Sequence, residues 1–230
     1  MPRNHDDVNE EWLSDKSRFV WDGLNAQRLD RPFIRRDGKL VPTSWDDAFD
    51  LVESKLKGKG DKTAAIAGDL VCAEGQFALK GLMDALESPH VDCRQDGAKI
   101  SGPRGNYLFN ASIAGIEEAD ALLLIGSNPR LEAPVLNARI RKRYLAGNFP
   151  IASIGEAVDL TYKAEFIGAG ADTLADLLAG KQSFADTLKN ANNPMILIGQ
   201  GALTRDDGAA VLASAIELAE KTGASFNMLH

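Results

Sequence analysis

The residues best suited to chemistry in this chain stand where apolar runs stop at a glycine. Ala121-Leu122-Leu123-Leu124-Ile125 runs into Gly126-Ser127-Asn128-Pro129-Arg130. A small residue, a hydroxyl and an amide are followed there by a proline suited to a first helical turn and by a guanidinium. Such a turn can offer backbone N–H groups and side-chain donors to a phosphate or a ribose. Gly126, Ser127, Asn128, Pro129 and Arg130 are therefore the candidate binding residues. The same five residues also read as a plain strand-to-helix turn with capping side chains, which an α/β fold needs whether or not it binds anything. Gly68-Asp69, Gly155-Glu156 and Gly199-Gln200-Gly201 are turns of the same form.

Other chemistries find less support. Gly168-Ala169-Gly170-Ala171-Asp172-Thr173 lacks the third glycine of a dinucleotide fingerprint and has no clear strand before it. Gly199-Gln200-Gly201-Ala202-Leu203-Thr204 follows a strand but ends in Thr204, and no phosphate-loop motif with its lysine occurs. Cys72 and Cys93 are isolated, and His5, His90 and His230 are scattered, so no metal-ligand spacing is present. They read as core or surface thiols and solvated histidines. Ser127 has no nearby histidine to act as base, no G-x-S-x-G elbow exists, and no catalytic residue is expected. Arg139, Arg141, Lys142 and Arg143 read either as a surface for an acidic partner or as the cation-rich end of a helix. Asp6, Asp7, Glu10 and Glu11 read as a solvated face or a contact with a neighbouring domain.

The elements that must position these residues follow from periodicity. Residues 10–19 are a weak helical stretch. Residues 31–43 read as a hairpin around Asp37-Gly38, a favoured pair for a two-residue turn. Ser44 is a good N-cap with Asp47 three positions on, and Trp45, Ala48, Phe49, Val52 and Leu56 form one apolar helical stripe. Short apolar runs then recur: Ala64-Ala65-Ile66-Ala67, 121–125, Ile151-Ala152-Ser153-Ile154 and Met195-Ile196-Leu197-Ile198. Each is closed by glycine, as expected of strands buried on both faces of a parallel sheet. Helical segments at 73–86, 134–146, 173–179, 183–190 and 205–222 lie between or after them. The expected fold is α/β, a doubly wound and mainly parallel sheet with flanking helices, plus a small N-terminal helix and hairpin. In such sheets ligands bind at the carboxyl ends of the strands, where Gly126–Arg130 falls.

Composition bounds the function classes. The 230 residues carry 26 Lys and Arg against 33 Asp and Glu, a formal charge of −7, and 44% are hydrophobic. An acidic chain argues against general nucleic-acid binding, and no apolar run approaches the ~20 residues that cross a bilayer. Few cysteines fit a reducing compartment. The polar start shows no signal peptide, and the abrupt apolar end at 226–230 is expected of a piece of a longer protein.

Specific strings resemble a known family. Val8-Asn9-Glu10-Glu11-Trp12-Leu13-Ser14-Asp15-Lys16-Ser17-Arg18-Phe19 is similar to the segment that follows the last iron–sulfur binding region in the large iron–sulfur subunit of respiratory complex I. Ile113-Ala114-Gly115-Ile116-Glu117-Glu118-Ala119-Asp120, Gly126 to Pro134, Asn137 to Lys142, Val158 to Tyr162 and the closing Asn227-Met228-Leu229-His230 fit the same family in order. That family is related to molybdopterin oxidoreductases, whose helix start Ser44-Trp45-Asp46-Asp47-Ala48 resembles. The resemblance implies that Gly126, Ser127, Asn128, Pro129 and Arg130 correspond to the loop that holds a pterin dinucleotide. It departs after the third strand, where Gly155-Glu156-Ala157-Val158-Asp159 replaces an Asp-Pro-Arg that contacts that cofactor.

The loop is therefore expected to be vestigial and empty, with no metal and no cofactor in this chain. The parent subunit would carry 2Fe-2S and 4Fe-4S clusters upstream. By the same resemblance, residues 1–43 continue from the iron–sulfur region and 44–230 are a molybdopterin-oxidoreductase-like domain. The implied partners are the iron–sulfur domain of the same subunit and other peripheral-arm subunits, with no nucleic acid and no direct membrane insertion. The implied place is the cytoplasmic face of the bacterial inner membrane, or the mitochondrial matrix side. A piece of an active molybdopterin enzyme such as a formate dehydrogenase, and a free nucleotide- or phosphate-binding domain, are the competing readings.

Overall fold

The computed structural model describes residues 1–68, 70–93 and 96–229. Asp69, at the first glycine turn, and His230 lie outside the described residues. The chain forms two compact units, Met1–Arg18 with the chain from Ala98 onward, and Phe19–Gly97. The expected boundary at 43/44 falls inside the second of these.

The unit Phe19–Gly97 holds a hairpin of β1 (Phe33–Arg36) and β2 (Lys39–Pro42). Asp37 and Gly38 both take positive φ, 49° and 79°, which is the two-residue turn expected there. Among its described residues lie also a parallel pair of β3 (Ala65–Ile66) and β4 (Val91–Asp92) and two α-helices. α2 (Trp45–Leu56) begins where Ser44 accepts a hydrogen bond from the Asp47 N–H at 3.1 Å, and α3 is Ala73–Ala85. The apolar stripe of α2 finds no cover: Trp45, Phe49 and Val52 are all exposed. A short helix, α1 (Asp15–Phe19), precedes this unit.

The other unit is a five-stranded parallel sheet in the order β7 (Glu165–Gly168), β6 (Ile151–Ile154), β5 (Ala121–Ile125), β8 (Pro194–Gly199), β9 (Ser225–Leu229). Every residue of β5 is buried, and alternate residues face opposite layers. Leu122 and Leu124 pack with Ile116, Ile140 and Leu160. On that side lie α4 (Pro129–Glu132) and α5 (Pro134–Leu145). Ala121, Leu123 and Ile125 meet the opposite layer. It is built from α6 (Ala171–Leu178), α7 (Ser183–Asn190), α8 (Gln200–Leu203) and α9 (Gly208–Thr222). The period-two alternation of a strand thus places one apolar run in two cores at once.

Three sequence expectations need correction. The run Ala64–Ala67 does not join the main sheet, because its strand is two residues long and Ile66 is exposed. An alanine-rich run offers too little apolar surface to hold a central position. β7 was not expected, since Glu165 and Phe166 at the sheet edge interrupt the apolar pattern. β9 was not expected either, and it is held by a polar residue. Asn227 is fully buried; its Oδ1 accepts the Ala111 N–H at 2.8 Å and its Nδ2 donates to the Ser225 carbonyl at 3.1 Å. Asn110 adds a bond from its Nδ2 to the Phe226 carbonyl at 2.7 Å. This stretch covers the edge that β9 would otherwise present.

Two substitutions separate core from surface. Leu123→Ala is expected to lower unfolding free energy by roughly 2–5 kcal/mol. Leu145→Ala, at an exposed site, should change it by no more than about 0.5 kcal/mol. Urea denaturation of both variants measures the contrast.

Candidate functional site

β5 and β8 are neighbours, and the chain leaves them to opposite faces of the sheet, towards α4 and α8. This is the switch point where open α/β sheets bind ligands. The carboxyl ends of β5, β6, β7 and β8 open there on one cavity of about 540 Å³.

Glycine is required at its floor. Gly126 has a φ of +56°, and a Cβ there would stand 2.6 Å from the Ala202 Cβ. A Cβ on Gly199 would stand 2.7 Å from the Gly126 carbonyl oxygen. The two turns therefore meet backbone to backbone, and the apolar runs must end in the smallest residue.

Of the candidate residues, Gly126, Ser127 and Asn128 line the cavity. The Asn128 N–H donates to Glu132 Oε1 at 2.5 Å, and the Ser127 hydroxyl donates to Glu132 Oε2 at 3.3 Å. The Asn128 Oδ1 is buried and has no hydrogen-bond partner among the described residues. Pro129 is buried in the first turn of α4 and supplies shape rather than a donor.

Arg130 is not on the wall. Its Nη1 donates to Asp159 Oδ2 at 2.6 Å and to the Asp159 carbonyl at 3.1 Å. The Thr161 N–H, first, and then Arg130 hold the Asp159 carboxyl below the usual carboxylate range. Arg130 thus ties down the chain after β6.

Three charged wall residues were not singled out as site residues from sequence, Glu132, Glu156 and Arg205. Glu156 follows the β6 glycine turn, so its position was legible. Arg205 carried no signal beyond its place at an expected helix start. It makes a bidentate pair with Asp207, at 2.7 and 3.0 Å. The bond raises the arginine and lowers the aspartate from their ordinary values. It also explains why α9 begins at Gly208 rather than 205: Asp207 stands at the N-cap with its carboxylate turned to Arg205.

The cation cluster does lie at the cation-rich end of a helix, with Lys142 and Arg143 in the last turn of α5, and it also has an internal use. Arg139 is 4% exposed; it donates from Nη1 to Glu117 at 2.9 Å and from Nη2 to the Asp6 carbonyl at 2.5 Å. Lys142 reaches Glu10 at 2.5 Å and Glu117 at 3.1 Å, and those two bonds raise its ammonium pKa. Arg143 stacks over Phe149 at 4.7 Å and donates to the Ala119 carbonyl, while Arg141 donates to the Thr161 carbonyl. Lys16 donates to the Leu131 carbonyl at 2.8 Å. Together these bonds fasten the N-terminal residues to α4 and α5.

A pterin dinucleotide would bring phosphates, and the donor set does not fit them. The turn's N–H and hydroxyl are already bonded to a carboxylate, Glu156 adds a second, and Arg205 is neutralised by Asp207. Among the described residues no group of three or more His, Cys, Asp or Glu could hold a metal ion, and Cys72 and Cys93 are both exposed.

Known proteins agree with this architecture. A family described as molybdopterin oxidoreductase matches residues 28–228. One described as NADH-ubiquinone oxidoreductase NDSU1/NuoG-like, 4Fe-4S domain matches residues 1–22. A curated relative from Rickettsia felis, the G-type subunit of NADH-quinone oxidoreductase, is 46% identical over 231 residues, covering 100% of this chain and 34% of the relative. Its counterpart from Rickettsia prowazekii is 44% identical over 238 residues, covering 100% and 35%. The chain thus spans about a third of the length of these relatives. A chain of the formyltransferase/hydrolase complex FhcABCD from Methylorubrum extorquens, solved by X-ray crystallography with methylofuran, aligns with a TM-score of 0.53 at 18% identity. That alignment covers 80% of this chain and 56% of that one, and the likeness is one of fold.

Two outcomes are expected from the charges and the phenol. Arg139→Ala should cost about 3 kcal/mol or more, since it strands buried partners. Lys142→Met at the half-exposed pair should cost no more than about 1 kcal/mol, and limited proteolysis of residues 1–18 should accelerate only in the first. Tyr162 donates from its hydroxyl to Asn137 Oδ1 at 2.8 Å, and burial pushes its pKa well above the ordinary 10. A phenol raised on folding stabilises below the unfolded value and loses that contribution as pH rises past it. Stability should therefore fall above about pH 10 and fall less in Tyr162→Phe, as measured by urea titrations at pH 8 to 11.

Proposed function

The chain belongs to the molybdopterin oxidoreductase family, and from that premise we propose that it is a non-catalytic scaffold domain of the large iron–sulfur subunit of NADH-quinone oxidoreductase. One observation carries the reading. Essentially the whole chain aligns with the corresponding subunits of Rickettsia at 43–47% identity, and its first 22 residues match a 4Fe-4S domain family. Those 22 residues contain no cysteine, so they bring no thiolate for a cluster. They bring instead Asp6, Glu10 and Lys16, which are bonded to α4 and α5.

In this reading the parent enzyme passes electrons from NADH to quinone through 2Fe-2S and 4Fe-4S clusters, coupled to proton translocation. This domain stands beside that path and holds the cluster-bearing part in place. Its partners are the iron–sulfur domain of the same polypeptide and other subunits of the peripheral arm. The place is the cytoplasmic face of a bacterial inner membrane, or the matrix side of the mitochondrial one. Among the described residues no helix is long and apolar enough to cross a membrane, which fits a peripheral position. An active molybdopterin enzyme such as a formate dehydrogenase is the weaker reading, because the Asn128 N–H, the Ser127 hydroxyl and Arg205 are each bonded to a carboxylate of the chain itself.

The test uses the full-length protein tagged in its own cells. It should copurify with NADH-quinone oxidoreductase activity and iron. Arg139→Ala should reduce the amount of assembled enzyme while turnover and iron–sulfur electron paramagnetic resonance per assembled enzyme stay unchanged. Copurification with stoichiometric molybdenum and formate oxidation would overturn the assignment.

A further inference from the structure

The turn after β5 has the form of an anion cradle, yet its donors are already in use. Glu132 lies four residues beyond Asn128 and five beyond Ser127, on the short helix that the turn itself begins. One carboxylate oxygen accepts the Asn128 N–H at 2.5 Å and the other accepts the Ser127 hydroxyl at 3.3 Å. All three residues line the cavity. The contact is local in sequence, four and five residues apart.

We propose that Glu132 is a built-in occupant of this turn: its carboxylate takes the place of an anionic ligand group, so the cavity rejects phosphate-bearing ligands and admits only uncharged or cationic ones. Each surrounding charge agrees. Glu156 is a second carboxylate on the same wall. Arg205, the one guanidinium on the wall among the described residues, is held by both oxygens of Asp207. Arg130, the cation next in sequence to the turn, is committed to Asp159 on the far side of the loop. An entering phosphate would meet two like charges, and would have to displace Glu132 to reach the Asn128 N–H and the Ser127 hydroxyl. Carboxylates sharing one wall disfavour a further anion, and hydrogen bonds to a charged group are the strong ones it would have to replace.

The rest of the cavity suits an uncharged guest. Ile125, Ile154, Val158, Leu174 and Val211 supply apolar wall, and the volume lies in the range of small-molecule sites. The specificity so assigned is one of charge, set by a single side chain. It is independent of the assignment to NADH-quinone oxidoreductase, because it rests on bonds and charges around this cavity.

The experiment is calorimetric titration of the full-length protein with inorganic pyrophosphate. The unaltered protein should give no saturable heat at millimolar concentrations. Glu132→Ala, which frees both donors, should bind pyrophosphate at least about tenfold tighter, as removal of a competing charged hydrogen-bond partner implies. Glu132→Gln removes the charge but keeps an acceptor near Asn128, so it should gain less and still measurably. Glu220→Ala, on the exposed face of α9, makes the same change in net charge and should gain nothing.

Circular dichroism establishes folding in each variant, and Glu132→Gln carries the test if Glu132→Ala does not fold. Micromolar binding by the unaltered protein would overturn the proposal. So would a folded Glu132 variant without gain, or an equal gain in Glu220→Ala. None of these results touches copurification with the respiratory enzyme, so the two readings fail separately.

Discussion

The close approach of two strand ends governs this structure. The turn after β5 rests on the turn after β8 with no room for a side chain between them, which is why Gly126 and Gly199 stand where they do. That contact joins the two helical layers at the switch point. It lets β5, apolar along its whole length, be covered on both faces. It also decides the shape of the cavity, since the walls are whatever the four strand ends carry beyond their glycines. A methyl group at either glycine would push apart the elements that close both cores.

The charges of the sheet domain are largely engaged inside it. Arg139 and Lys142 gather Glu10, Glu117 and the Asp6 carbonyl into one network that joins the N-terminal residues to α5. Arg130 fixes the chain after β6, and Arg205 fixes the start of α9. Exposed ion pairs contribute little individually, but a buried guanidinium with every partner in place fixes geometry strongly. A fold whose cations are engaged in this way is suited to holding other parts in register. It is poorly suited to gripping a polyanionic cofactor, which needs uncommitted donors. The proposed scaffold role and the proposed charge selectivity of the cavity both fit this pattern, though each rests on its own observation.

Much of this was legible in the residues. Ser44 capping α2, Asp37-Gly38 turning the hairpin, and the glycine-closed runs at 121–125, 151–154 and 195–198 all depend on neighbours within a few positions. Local sterics and hydrogen bonds determine such features, so sequence suffices for them. The exposed stripe of α2 is the instructive exception: its periodicity was real, yet Trp45 and Phe49 are uncovered in this chain. An amphipathic pattern reports a helix and a preference for burial, without naming what does the burying.

By itself, then, the sequence determined the fold class, the strand-end position of Gly126, Ser127 and Asn128, and the family strings, because each is written in adjacent residues. The tertiary structure alone decided which runs share a sheet, and sent Ala64–Ala67 to a minor pair while β9 entered the main one through Asn227. It alone turned Arg130 away from the cavity, brought Arg205 to its wall and placed Arg139 against a residue 133 positions earlier. The physical reason is common to all of these. Side-chain charges and edge strands take whichever partner the fold brings within about 3 Å, and that partner is set by packing rather than by neighbours in the chain.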